Sequence, residues 1–307
     1  MATTERTMTA GDWAILLTLS VLWGGSFFFI ALALRGFQPL TLIFLRVALA
    51  ASLLWLVLRA TGGRMPRGAA LWRSLLVLAL LNNVLPFALF AWAQTQISGG
   101  LASIVNATTP IWGVIVAHLF TRDEKATPNK VAGVVLGFAG VALMVGGDAL
   151  GGLGGHVLPQ LACVAATLCY AFAGVYGRRF SEIGVTPLAI SAGSLAMAAA
   201  VLLPVMLAFD APWRAAMPGA TAWAALAGLV IFSSALAYVL FYRLLASAGA
   251  TNSMLVTFLI PVTAIVLGSL VLGEVLAPQD FAGMGLIALG LVAVDGRLPR
   301  RLLRRRA

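Results

Sequence analysis

The chain has 307 residues, 61% of them hydrophobic and 10% charged, with a mean hydropathy of +1.01. That balance excludes an ordinary soluble domain. The formal net charge of +10, from 20 Lys and Arg against 10 Asp and Glu, is read first as membrane topology, so no nucleic-acid partner is expected.

Apolar runs long enough to cross about 30 Å of hydrocarbon as helices recur along nearly the whole chain. In order they cover about residues 13–33, 40–59, 71–93, 100–120, 130–147, 157–177, 187–209, 220–242, 251–272 and 280–296. The expected fold is therefore an all-α integral membrane protein with ten transmembrane helices. The first run ends in Ala31-Leu32-Ala33, which resembles a signal-peptidase site, but it is too long for a signal core and has a counterpart in the second half. With a cytoplasmic N-terminus, the inner loops hold Arg6, Arg59, Arg64, Arg67, Arg73, Arg122, Lys125, Lys130, Arg178, Arg179, Arg243, Arg297, Arg300, Arg301, Arg304, Arg305 and Arg306. The outer side then has only Arg35 and Arg214. The positive-inside rule puts both termini in the cytoplasm, and the expected localisation is that of a multi-pass protein of a bacterial inner membrane.

Polar residues inside the runs mark candidate function. The first run carries Trp23 and Ser26, the second Arg46, and the third Asn82, Asn83, Pro86 and Phe90. The fourth has Asn106, Thr109 and Pro110. A proline there removes the hydrogen bond to the carbonyl four residues earlier and kinks the helix. The sixth run supplies Tyr170, the eighth Ser234, Tyr238 and Tyr242, and the ninth Thr257 and Pro261. These residues combine donors, acceptors and aromatic walls, which suits a small organic substrate better than a bare ion. Arg46 is read as a contact for a substrate carboxylate or as a structural or gating charge. Glu124 and Glu274 fall at run ends, as helix caps or gates.

The two halves of the chain repeat. Pro110 pairs with Pro261, Asn82-Asn83 with Ser233-Ser234 and Phe90 with Phe241, all at an offset of 151 positions, and Glu124 pairs with Glu274 at 150. Each half has five runs; because five is odd, the halves enter the membrane from opposite sides as inverted repeats. The expected units are residues 12–147, residues 157–296 and a basic cytoplasmic tail, 297–307.

Leu22-Trp23-Gly24-Gly25-Ser26, the proline of the fourth run, and Gly273-Glu274 followed by Gly283 and Gly290 resemble the EamA repeat of the drug/metabolite transporter superfamily, over about residues 12–296. The first half departs from the pattern with Arg122-Asp123-Glu124. The resemblance implies a secondary transporter that exports amino acids, other metabolites or toxic compounds by alternating access. An amino acid or related metabolite is favoured over a lipophilic cation, because no carboxylate lies mid-run to hold one. A membrane enzyme would need a nucleophile with its base or clustered metal ligands. Two histidines and the distant Cys163 and Cys169 supply neither, so no catalytic residue, metal or cofactor is expected. A polytopic scaffold remains the other alternative. Glycines in the fifth and tenth runs, among them Gly133, Gly137, Gly283 and Gly290, mark packing or dimerisation surfaces, which leaves a homodimer open.

Overall fold

The computed structural model describes residues 8–65, 67–97, 99–151, 157–263 and 278–295. These are helical throughout, with short connections and no strand among the described residues. The helices are α1 (Ala10–Ala33), α2 (Pro39–Ala60), α3 (Ala69–Ala93), α4 (Gly99–Asn106), α5 (Thr109–Phe120), α6 (Pro128–Gly151), α7 (Val157–Glu182), α8 (Pro187–Phe209), α9 (Ala220–Met254) and α10 (Pro278–Asp295). Six of them are long and apolar enough to cross a membrane; Thr109–Phe120 and stretches of α6 and α10 are shorter apolar helices. Residues 256–263 are helical as well.

Carboxylates hold several helix ends. Thr9 and Asp12 form a reciprocal capping box at the start of α1, and Asp12 also accepts from Ser247 Oγ of α9 at 2.5 Å. At the opposite end of the bundle Asp210, just past α8, accepts from Thr41 N at 2.6 Å and Thr41 Oγ1 at 2.9 Å. That satisfies a free N–H in the first turn of α2 and joins α8 to α2, which pack side by side.

The glycines of α6 and α10 let these two helices meet backbone to backbone within one chain. A Cβ at Gly290 would lie 2.5 Å from the Gly133 carbonyl oxygen and 2.7 Å from Gly137 N. One at Gly140 would lie 2.6 Å from the Gly283 carbonyl oxygen. Close approach of this kind is what holds helices together where lipid removes the hydrophobic drive between them.

The boundary between the eighth and ninth runs differs from the sequence reading. The chain stays helical past Tyr242 and breaks at Gly249, whose φ of 86° and ψ of 174° suit glycine alone. The polar side chains of Asn252 and Ser253, bonded to the carbonyls of Ala248 and Gly249, tie the two sides of this break together.

Candidate functional site

Two widened helical turns organise the centre of the molecule. Leu80–Val84 within α3 and Leu229–Leu236 within α9 are wound as π-helix. Such turns are rare and leave backbone carbonyls without their usual partners. They hold Asn82-Asn83 and Ser233-Ser234, the pairs matched at an offset of 151. At both of the leading positions the carbonyl accepts a side-chain donor from elsewhere in the bundle. The Asn82 carbonyl accepts from Tyr238 Oη at 3.2 Å. The Ser233 carbonyl accepts from Trp23 Nε1 at 3.1 Å and from Arg46 Nη2 at 3.4 Å.

Between these turns lies a cavity with about 930 Å³ of empty space, counting its mouth. Trp23, Ser26, Arg46, Asn82, Phe90, Asn106, Thr109, Tyr170, Tyr238 and Thr257 all lie on its wall. It also takes in Ile30 late in α1 and Leu42 and Ile43 early in α2, so it reaches toward the end of the bundle where α2 begins. The aromatic walls are in contact with one another: Phe90 stacks on Tyr170 at 6.2 Å between ring centres, and Trp23 lies 5.4 Å from Phe241.

Four sequence-selected residues stand just behind the wall. Ser234 Oγ accepts from Arg46 Nε at 2.7 Å, and Tyr242 Oη accepts from Asn82 Nδ2 at 3.2 Å, so each orients a wall residue. Asn83 is fully buried with neither side-chain atom bonded to protein. Pro86, also buried, does not face the cavity. Phe87 takes that place, with the Arg46 guanidinium carbon 4.0 Å above its ring centre. The π turn explains the exchange. It inserts about one residue into the helical register, so the face that begins at Asn82 continues through Phe87 and Ala91 rather than through Pro86 and Phe90 alone.

Around Pro110 the helix is interrupted at Ala107 and Thr108, between α4 and α5. The carbonyl of Asn106, which Pro110 cannot bond, accepts instead from Thr109 Oγ1 at 2.6 Å. A neighbouring hydroxyl is a common replacement for a bond lost to proline in a membrane helix. Thr257 uses its hydroxyl in the same local way, donating to the Met254 carbonyl at 2.8 Å. Pro261 continues a helical stretch and is absent from the cavity wall.

Glu124 lies away from the cavity, at the end of the bundle where α1 begins. One carboxylate oxygen accepts from Ala250 N at 2.9 Å; the other accepts from Thr251 N at 2.9 Å and Thr251 Oγ1 at 2.6 Å. It caps the helical segment that restarts after Gly249. Arg178 of α7 reaches Glu124 at 3.1 Å and is bonded to Asp123. This cluster therefore clamps a loop of the first half to two helices of the second. Glu274 lies outside the described residues.

The model of the EamA-like transporter family matches residues 11–146 and again residues 158–294. The chain belongs to the EamA-like transporter family. Its relatives include the uncharacterized inner membrane transporter YedA of Escherichia coli strain K12, 26% identical over 284 residues that cover 91% of this chain and 89% of YedA. An uncharacterized transporter of Archaeoglobus fulgidus is 31% identical, covering 82% of this chain and 86% of its own. Another, YvbV of Bacillus subtilis, is 28% identical, with 92% and 90% covered. A crystal structure of a protein 19% identical in sequence has the same fold, with a TM-score of 0.74 over 94% of this chain and 98% of that one. As a member of the EamA-like family the molecule is a multi-pass membrane protein of transporter type.

Proposed function

We propose that the protein is a secondary transporter that moves a small organic solute, an amino acid or related metabolite, outward across the bacterial inner membrane by alternating access. Ten membrane spans form two inverted halves, residues 12–147 and 157–296; both termini and the basic tail 297–307 are cytoplasmic. The observation that carries the reading is the cavity between the two π turns. Its wall draws on matched positions of both halves, while the Glu124 cluster closes the end of the bundle where α1 begins. With that end cytoplasmic, the geometry corresponds to an outward-facing arrangement. Inward opening then requires Glu124 to release the Ala250 and Thr251 N–H groups and Arg178. Asn106, Thr109, Asn82 and Thr257 supply polar contacts to the solute, and Trp23, Phe90 and Tyr170 its apolar walls. Two equivalent closures of inverted halves around one site are the physical basis of alternating access.

The test is counterflow in proteoliposomes with labelled amino acids, metabolites and lipophilic cations. Exchange of a metabolite class by the wild type, reduced at least tenfold in folded Asn106→Ala, is the expected result. Unchanged exchange in that variant would remove the cavity from the pathway. A folded wild type that exchanges none of these classes favours a scaffold.

A further inference from the structure

The cavity has a charge imbalance. Among the described residues on its wall Arg46 alone is charged, and it is 5% exposed. Its partners are all neutral: the Ser234 hydroxyl, the Ser233 carbonyl and the face of Phe87. Among the described residues no carboxylate lies within ion-pair distance of it; the ion pairs there belong to Arg178. A guanidinium carries five N–H donors, and the protein takes up two of them, on Nε and Nη2. A buried charge in a membrane protein is met by an opposite charge or by backbone carbonyls, and the one carbonyl here, at 3.4 Å, leaves most of the guanidinium's donors open to an anion.

Among the described residues no countercharge comes from the acids at the two ends of the bundle. Asp210, nearest in the fold to the start of α2, is bonded to Thr41. Asp12 is bonded to Thr9 and Ser247, and Glu124 to the restart of the helix after Gly249. The guanidinium is also pinned in orientation, through Nε on one side and Phe87 beneath it. A planar fork fixed in this way favours a planar two-oxygen anion over a point charge.

We propose that the solute bound here is a small organic monoanion, an apolar body bearing one carboxylate, held by Arg46 against the aromatic walls. This rests on the transporter reading, and of the two solute classes named there it selects an anionic metabolite over an amino acid. A zwitterionic amino acid would bring an ammonium into a cavity whose wall offers no carboxylate among the described residues, and a cation would face Arg46 directly. Ser234 is a positioning residue: it acts on the anion through Arg46.

The test uses purified full-length protein and four matched probes, 3-phenylpropionate, its amide, phenylalanine and phenethylamine, extended to a panel of branched aliphatic and aromatic monocarboxylates. Binding is read as ligand-induced thermal stabilisation and, separately, as counterflow in proteoliposomes. The expected result is stabilisation by monocarboxylates at concentrations at least tenfold below those of the matched amide, zwitterion and amine. Arg46→Gln should abolish that preference. Ser234→Ala, which keeps the charge, should weaken carboxylate binding several-fold while leaving the order of the four probes intact. Carboxylate binding without carboxylate counterflow would sustain the site and sink transport. Binding or exchange of phenylalanine or the amine at equal or lower concentration, or no stabilisation by any monocarboxylate, would overturn the monoanion proposal.

Discussion

At the residue scale, the site depends on side chains that serve the backbone as much as the cavity. Asn83 is the clearest case: a fully buried amide inside a π turn, without a protein partner for either of its polar atoms. Leaving such groups unpaired costs about 1–3 kcal/mol. Asn83→Leu is therefore expected to raise the melting temperature, and a fall of several degrees would show that the amide is satisfied in the folded protein. Gly249 carries the opposite expectation. At φ 86° and ψ 174°, with a Cβ that would sit 2.7 Å from a Glu124 oxygen, Gly249→Ala should cost about 2 kcal/mol or more through backbone strain and loss of the Glu124 cap. A thermal melt unchanged within a degree would contradict this. Glu124→Gln keeps the shape but removes the charge that strengthens the bonds to Ala250, Thr251 and Arg178. It should shift the protein toward the inward-open arrangement, seen as greater labelling, from the cytoplasmic side, of a cysteine introduced on the cavity wall.

Among the elements, the paired π turns and the α6–α10 contact divide the molecule between function and support. Glycine-mediated backbone contact allows no side chain, so Gly290→Leu should separate α6 from α10 and lower stability by several kcal/mol while leaving solute preference in the surviving folded fraction unchanged. Altered preference would place α10 on the pathway. Much of this level can be read from the sequence, and the exceptions have physical causes. The offset of 151 aligns Asn82-Asn83 with Ser233-Ser234, yet nothing in residue type signals that both pairs sit in π turns, because that is a matter of hydrogen-bond register. Phe87 is missed for this reason: an α-helical spacing from Asn82 reaches Pro86, and only the wider turn brings Phe87 to the cavity. The glycines of the fifth and tenth runs announce close packing; that they pack on each other within one chain needs coordinates. The end of the eighth run is misplaced because Arg243 to Ala248 is less apolar than what precedes it, although the helix continues to the glycine.

For the whole molecule, hydropathy, repeat and motif lead to the family, since each follows from bilayer thickness or from internal symmetry. The solute's charge is not legible in this way. A single arginine inside an apolar run is compatible with snorkelling, pairing or binding until its neighbours are seen to be neutral and the nearby acids engaged elsewhere. Alternating access requires that one cavity be exposed in turn to the two sides. The most direct test places a cysteine at Val256, on the cavity wall, after replacing Cys163 and Cys169, and follows labelling by membrane-impermeant thiol reagents applied to each side of oriented vesicles. Labelling from both sides is expected, with solute or Glu124→Gln raising one rate as the other falls. Labelling from one side alone under every condition, or both rates rising together as in an open pore, would contradict it.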